Sequence, residues 1–206
     1  MKWLSYYVNA SSAHATTNAR LMADIDLSSV CSATAGNWTP IGNSYTISYK
    51  GTFDGNGKAI SNLYIANATT EIQGLFGYIS KYGVIKDLSV SGKITSTTRN
   101  VGLLAGYNHY GQIIHCISSG SASGSSYVGG IAGQQGGGSI TQCVNKAELS
   151  SDQNIGGITA FCHYASITDC LNKGNVKAGK NDNKTTAGIV GYTMSGSTIK
   201  NCLNMG

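Results

Sequence analysis

Apolar residues in this chain recur with a period far longer than a helical turn or a strand alternation. Ile85, Ile113, Ile140, Ile167 and Ile199 are separated by 28, 27, 27 and 32 positions. Three residues after each stands Leu88, Cys116, Cys143, Cys170 or Cys202. Two further on come Val90, Ser118, Asn145, Asn172 or Asn204, and two beyond that Gly92, Gly120, Ala147, Gly174 or Gly206. A small-apolar-small run precedes each Ile: Gly74-Leu75-Phe76-Gly77, Gly102-Leu103-Leu104-Ala105-Gly106, Gly129-Gly130-Ile131-Ala132-Gly133, Gly156-Gly157-Ile158-Thr159-Ala160 and Gly188-Ile189-Val190-Gly191. Five matched units make an internal repeat of about 27 residues. Ile60, Leu63 and Ile65 follow the same pattern less regularly, and Ile25, Leu27 and Val30 suggest a further coil.

Each unit reads as three short strands divided by Gly, Ser and Asn turns. None holds ten residues of helical periodicity, which excludes leucine-rich and ankyrin-type solenoids. The period is also too short for a propeller blade of about 40 residues. What remains is an all-β fold, a single-stranded right-handed parallel β-helix with one coil per repeat stacked at about 4.8 Å. Six or seven coils would give a rod on the order of 30 Å. Stacking predicts interior ladders of Ile and of Cys, because equivalent positions lie above one another and no coil can bury its core alone.

The chain is read as one β-helix domain over 1–206, with an N-terminal cap over 1–22, less regular first coils over 23–72 and the repeats over 73–206. Trp3, Leu4, Tyr7 and Val8 recur at helical spacing, so a short amphipathic helix is expected to cover the first coil. The sequence stops inside a repeat, at Asn204-Met205-Gly206, which predicts a fragment of a longer protein. An exposed last coil would invite end-to-end contact with another chain. The polar stretch Lys180-Asn181-Asp182-Asn183-Lys184 is expected to bulge from one corner.

Composition narrows the function. Charged residues make up 11% of the chain, Gly occurs 28 times, Pro stands only at position 40, and 41% of residues are hydrophobic, enough to fold. A formal charge of +5 comes from lysines spread without a basic run, with Arg only at Arg20 and Arg99. That pattern argues against nucleic acid as partner. No segment approaches the roughly 20 apolar residues of a membrane-spanning helix, and the first residues do not form a signal peptide.

The repeats resemble bacterial surface proteins carrying the GLUG repeat. Gly74-Leu75-Phe76-Gly77 matches its core, and the run from Gly129 is a common variant. Gly51-Thr52-Phe53-Asp54-Gly55-Asn56-Gly57-Lys58, Asp24-Ile25-Asp26-Leu27 and Trp38-Thr39-Pro40-Ile41-Gly42 are also typical. Ala160, where the repeat usually ends in Gly, is a departure. The resemblance covers nearly the whole chain and implies an extracellular or cell-surface setting in a bacterium, with a stalk, adhesive or substrate-presenting role. Similar coils flank the catalytic domain of immunoglobulin-A-cleaving metallopeptidases.

Because some β-helices are polysaccharide lyases or hydrolases, carboxylate placement matters. Glycoside hydrolysis requires two carboxylates within about 5–10 Å across one bond. The positions two after each ladder Ile are Asp87, His115, Gln142, Asp169 and Asn201, and the two Asp are three coils apart, about 14 Å. Asp152 and Asp182 lie in turns without acidic partners. Asp54-Gly55-Asn56-Gly57 begins like a Ca²⁺ loop but lacks its later ligands. Gly57-Lys58 is followed by Ala59, not the Ser or Thr of a P-loop, and Gly120-Ser121-Ala122-Ser123-Gly124 has Ala where a nucleophile would stand. There is no Cys-x-x-Cys. The periodic cysteines read as free buried thiols, and Cys162-His163 with His115 as a buried Cys and turn histidines rather than a metal site. No catalytic residue, metal site or cofactor is therefore expected.

A recognition surface is expected along one corner. The turn after each small-residue strand carries Tyr78 and Tyr82, then Tyr107, His109 and Tyr110, then Gln134 and Gln135, then His163 and Tyr164, then Tyr192. Stacked coils place these on one edge, where tyrosine offers an apolar face and a hydroxyl to a glycan or a host protein surface. The competing role is to cover the corner's own backbone. A non-catalytic structural or adhesive segment is the leading reading. The alternatives are a carbohydrate-processing lyase or hydrolase and an accessory domain of a secreted peptidase.

Overall fold

The periodic isoleucines meet in register. Ile85 pairs with Ile113, Ile113 with Ile140, Ile140 with Ile167 and Ile167 with Ile199, all in parallel. The computed structural model describes residues 1–179 and 185–206 and winds them into a β-solenoid of about five turns. Three parallel sheets run along its axis. A long sheet has 14 strands, a second has five, and a third has four. The second sheet comprises Phe76–Ile79, Ala105–His109, Ala132–Gly136, Thr159–His163 and Val190–Thr193. The stretch 180–184, expected to bulge at a corner, lies outside the described residues.

The expected six or seven coils correspond to rungs of the long sheet. Strand Thr52–Ala68 and the short strands Ala19–Arg20 and Ile25–Asp26 do add rungs there. The chain between them closes irregularly, pairing with the second sheet through isolated bridges, Ile41 to Phe76 and Tyr49 to Ile79, rather than through a strand. These first coils are therefore incomplete.

Three ladders fill the interior of the long sheet. Ile85, Ile113, Ile140 and Ile167 are fully buried, each contributing about 1.5–3 kcal/mol by leaving water. Cys116, Cys143 and Cys170 are buried beside them with free thiols. Each donates to the carbonyl two residues back, at Ile114, Thr141 and Thr168, over 3.2–3.3 Å.

The third ladder is polar. The Ser118 hydroxyl donates to Asn145 Oδ1 (2.9 Å), Asn145 Nδ2 to Asn172 Oδ1 (2.7 Å) and Asn172 Nδ2 to Asn204 Oδ1 (2.7 Å). The same amides close their own turns: Asn172 Nδ2 reaches Gly174 O at 2.9 Å and Asn172 Oδ1 accepts from Gly174 N. Buried amides are tolerated only when satisfied in this way. The ladder also explains the doubled glycines across the core. A Cβ on Gly130 would overlap the Asn145 side chain, and one on Gly157 or Gly188 would overlap Asn172 or Asn204. Ala160, the departure from the repeat, fits fully buried in its strand.

The N-terminus forms the helix α1, Lys2–Ala10. Leu4 and Val8 join the core as the spacing predicted, but Trp3 and Tyr7 do not. Tyr7 stacks between Trp3 (4.8 Å) and His14 (3.8 Å) on the outer side, and Ser5 is the third buried residue. Trp3 is therefore left largely exposed. At the other end Ile199, Leu203 and Met205 of the last rung are also exposed.

Candidate functional site: an aromatic edge

Alternation along the five-stranded sheet decides which side chains face out. Asn108, Gln135 and Cys162 pair in register and are fully buried. Their neighbours Tyr78, Tyr107, Gln134, Phe161 and Tyr192 pair in register on the outer side. A second row stands at the following corner, where Tyr82, Tyr110, Gly137, Tyr164 and Gly196 all take left-handed backbone, with φ of 78, 61, 71, 49 and 76°.

Tyrosine in that conformation costs about 1–2 kcal/mol relative to the right-handed region. Stacking between coils explains where the rings go. A Cβ on Gly137 would strike the Tyr110 ring, and one on Gly196 would strike that of Tyr164. Tyr110 and Tyr164 therefore cover the corner backbone of the next coil with one face. Both remain about half exposed, while Tyr82, at 75%, is the most open ring of the edge. Lys81 Nζ lies 5.2 Å from the Tyr82 ring centre.

The rings gather into two clusters. In the first, Tyr45 meets Tyr78 edge-on (5.1 Å), Tyr78 meets Tyr107 (5.2 Å), Tyr107 lies 5.5 Å from His109, and His109 lies 4.6 Å from Tyr110. In the second, Phe161 contacts Tyr127 and Tyr192, each at 5.8 Å, and His163 leans on Tyr164 at 4.2 Å. Between them the strand Ala132–Gly136 and the Gly137 corner carry no ring.

All seven expected residues thus fall on one edge, with a difference of role. Tyr78 is 8% exposed and forms the floor of the first cluster beneath Tyr45 and Tyr107. Tyr45, Tyr127 and Phe161 belong to the edge and were not among the expected residues. Phe161 was accessible from the period, standing 27 positions after Gln134 and 54 after Tyr107. Tyr45 arrives from the irregular first coils, where no repeat could place it.

Burial shapes the chemistry of the first cluster. It pushes the Tyr78 phenol up to about 12 and raises Tyr107 and Tyr45 as well. Desolvation lowers His109, which favours a neutral imidazole. At the flank, Glu71 accepts from the Tyr45 hydroxyl (3.1 Å) and from Arg99 Nε (2.9 Å). The edge is shallow and open. The clefts lie elsewhere; one of about 350 Å³ runs between α1 and the Val30–Asn43 segment. Asn9 and Asn37 there spend their amides largely on backbone groups.

The other candidates stay apart. Cys162 is buried, while the His163 ring lies outside against Phe161 and Tyr164. His115 pairs with Asp87 at 2.9 Å in the corner of another coil. Asp169 accepts from Asn201 (3.0 Å), and Asp54 accepts from Asn56 N (2.8 Å) within a bulge of its strand. Among the described residues no three His, Cys, Asp or Glu side chains converge as a metal site, and no helix is long and apolar enough to cross a membrane.

Comparison with known proteins agrees with this architecture. Residues 124–150 match the GLUG motif. Over 124 residues, 58% of the chain, the sequence is 28% identical to halomucin of Haloquadratum walsbyi, and spans 1% of that protein. Over 97 residues, 46% of the chain, it is 33% identical to a protein of Evansella cellulosilytica provisionally named a Gly-rich membrane protein, and spans 11% of it. The chain thus covers a small part of either relative. The fold is shared with the crystal structure of a Bacteroides ovatus protein provisionally named an immunoglobulin A1 protease. The TM-score is 0.67 at 21% identity, covering 95% of this chain and 71% of that one.

Proposed function

We propose that this GLUG-motif solenoid is a non-catalytic, rod-like segment of an extracellular or cell-surface protein, and that its aromatic edge holds a glycan chain. The edge carries the reading. The Tyr107 and Phe161 positions lie two rungs apart along the axis, about 10 Å, and the ring-free strand Ala132–Gly136 between them leaves a saddle. Flat aromatic faces with phenol groups at their rims suit the apolar faces and hydroxyls of sugars. An open strip of this kind suits an extended chain better than a small molecule, which usually occupies a concave pocket.

Carboxylate placement supports a role without catalysis. Asp54 lies against Arg20 and Lys86, Asp87 against His115 and the same Lys86, and Glu71 against Arg99. Each of these carboxylates is thus engaged by a cationic or imidazole side chain, whereas glycoside hydrolysis needs one carboxyl of a pair free to act as the acid. A surface location is supported by the names of the two relatives. Their shared segments are small parts of long proteins, as expected for a presenting or spacing element.

The test is a glycan array probed with the wild-type chain and with Tyr107→Ala and Tyr107→Ala/Tyr110→Ala variants. We expect the wild type to retain a set of linear glycans and Tyr107→Ala to weaken them about tenfold or more. Its melting temperature should stay within a few degrees, since Tyr107 is only partly buried. Retention that is unchanged in both variants, or binding confined to proteins on a parallel array, would overturn the reading.

A further inference from the structure

We propose that the first ring cluster selects acidic sugars and that Arg99 is the residue that reads their carboxylate. The inference rests on the glycan-binding reading above and adds the class of sugar. It starts from an asymmetry between the clusters. In the first, Arg99 is tied through Glu71 to the Tyr45 hydroxyl, and Lys81 lies over the neighbouring Tyr82 ring of the corner row; in the second, Arg99 acts on Tyr127 through its charge alone.

Arg99 opens the strand Arg99–Gly102, at the corner through which the chain enters the five-stranded sheet. Its side chain is 56% exposed and is directed by its bond from Nε to Glu71 Oε1 at 2.9 Å. Glu71 is in turn fixed by the Tyr45 hydroxyl on its other oxygen, and Tyr45 lies edge-on to Tyr78. A chain of contacts therefore runs from the ring floor to the guanidinium and orients it.

That arrangement leaves Arg99 chemically available. A guanidinium has five N–H donors in a planar fork. Among the described residues only the Nε donor finds an acceptor, so the terminal nitrogens remain to grip a carboxylate through two parallel bonds. Glu71 bonds Arg99 through Nε alone, so the pair leaves the outer edge of the guanidinium facing away from its carboxylate partner. A neutral sugar would gain the ring contacts and little from Arg99. A uronic acid would gain both.

Oligogalacturonates and their methyl esters provide the test, because they share a backbone and differ at the carboxyl group, which the ester leaves uncharged. Binding to the wild-type chain, Arg99→Gln, Arg99→Lys and Tyr107→Ala is measured by calorimetry at low and moderate salt. The wild type should prefer the acid over the ester at least tenfold. Arg99→Gln should reduce that preference to about twofold while leaving ester binding unchanged. Arg99→Lys should retain only part of it, since an ammonium lacks the fork. Tyr107→Ala should weaken both ligands together and keep their ratio.

The outcomes separate the two claims. If the ester and the acid bind wild type equally, or Arg99→Gln keeps the acid preference, the Arg99 assignment is wrong while the glycan-binding edge stands. If neither ligand binds and the glycan array is also blank, both fail. Thermal melts of each variant exclude unfolding as the cause, Arg99 being an exposed residue.

Discussion

One repeat builds two regions that behave oppositely. Inside the long sheet, each position carries nearly the same residue from coil to coil, and each side chain satisfies its counterpart above and below. Ile rests on Ile, and Asn145 bonds Asn172, which bonds Asn204. On the aromatic edge the outer row reads Tyr, Tyr, Gln, Phe, Tyr and the corner row Tyr, Tyr, Gly, Tyr, Gly. Sameness is what stacking demands when a group has no water to turn to. Variation is permitted where solvent, or a ligand, completes the contacts. Interior periodicity therefore reports structure, and departures from it on the surface are where recognition can arise.

This contrast can be broken most forcefully at the meeting of the Asn and Gly ladders. Asn172→Ala leaves Asn145 Nδ2 and the Gly174 turn without their partner, and should cost about 3 kcal/mol, since a buried polar group left unpaired costs about 1–3 kcal/mol. Gly157→Ala attacks the same contact from across the core and should cost a comparable amount, because overpacking typically costs about 1–3 kcal/mol. Urea unfolding measures both, with exposed Lys173→Ala as the control. If Asn172→Ala is no more disruptive than that control, the interior ladder is not a structural constraint.

A milder change probes the edge. Gly137→Ala adds a methyl at a left-handed position and displaces the Tyr110 ring, so about 1–2 kcal/mol of stability should be lost. A loss equal to that of the interior variants would show that Tyr110 is as constrained as the core, erasing the distinction. The smallest expected effect is electrostatic. Hydrogen bonding from Asn56 and the nearby Lys86 and Arg20 lower the Asp54 carboxyl below its ordinary value of 3.8, and bonds from Asn62 and Ser28 do the same for Asp26. A carboxyl lowered on folding adds stability above its unfolded value, and that contribution fades as pH falls through the folded one. Stability should therefore be flat near neutrality and decline below about pH 4. In Asp54→Asn the acid decline should be slightly shallower, as followed by melting temperature against pH.

Much of this architecture is legible in the order of the residues. The parallel solenoid, the Ile and Cys ladders and the common edge of the tyrosines all follow from a period near 27. A strict period converts sequence distance directly into spatial adjacency, as it does for Phe161 beneath Tyr192. What escapes lies where periodicity fails or where the contact crosses the core. Tyr45 enters from a segment without a repeat. Tyr78 has the spacing of its more exposed counterparts, and the Tyr45 ring, added to that of Tyr107, makes it a floor. The partnership of Gly157 with Asn172 joins a bend between two strands to a position of the long sheet, and no spacing rule relates them. Trp3 and Tyr7 share the helical period with Leu4 and Val8, yet their stack with His14 turns them outward.

The amide ladder has a direction. In every step the earlier coil donates and the later one accepts, from Ser118 to Asn145, Asn145 to Asn172 and Asn172 to Asn204. The wiring is the same at the two asparagine joints, and the first differs only in a hydroxyl donor, so a whole asparagine-bearing unit spliced in or cut out there would find the same sockets waiting. Length then becomes a freely adjustable property of the rod, changed by duplicating about 27 codons at a time, with no core to redesign.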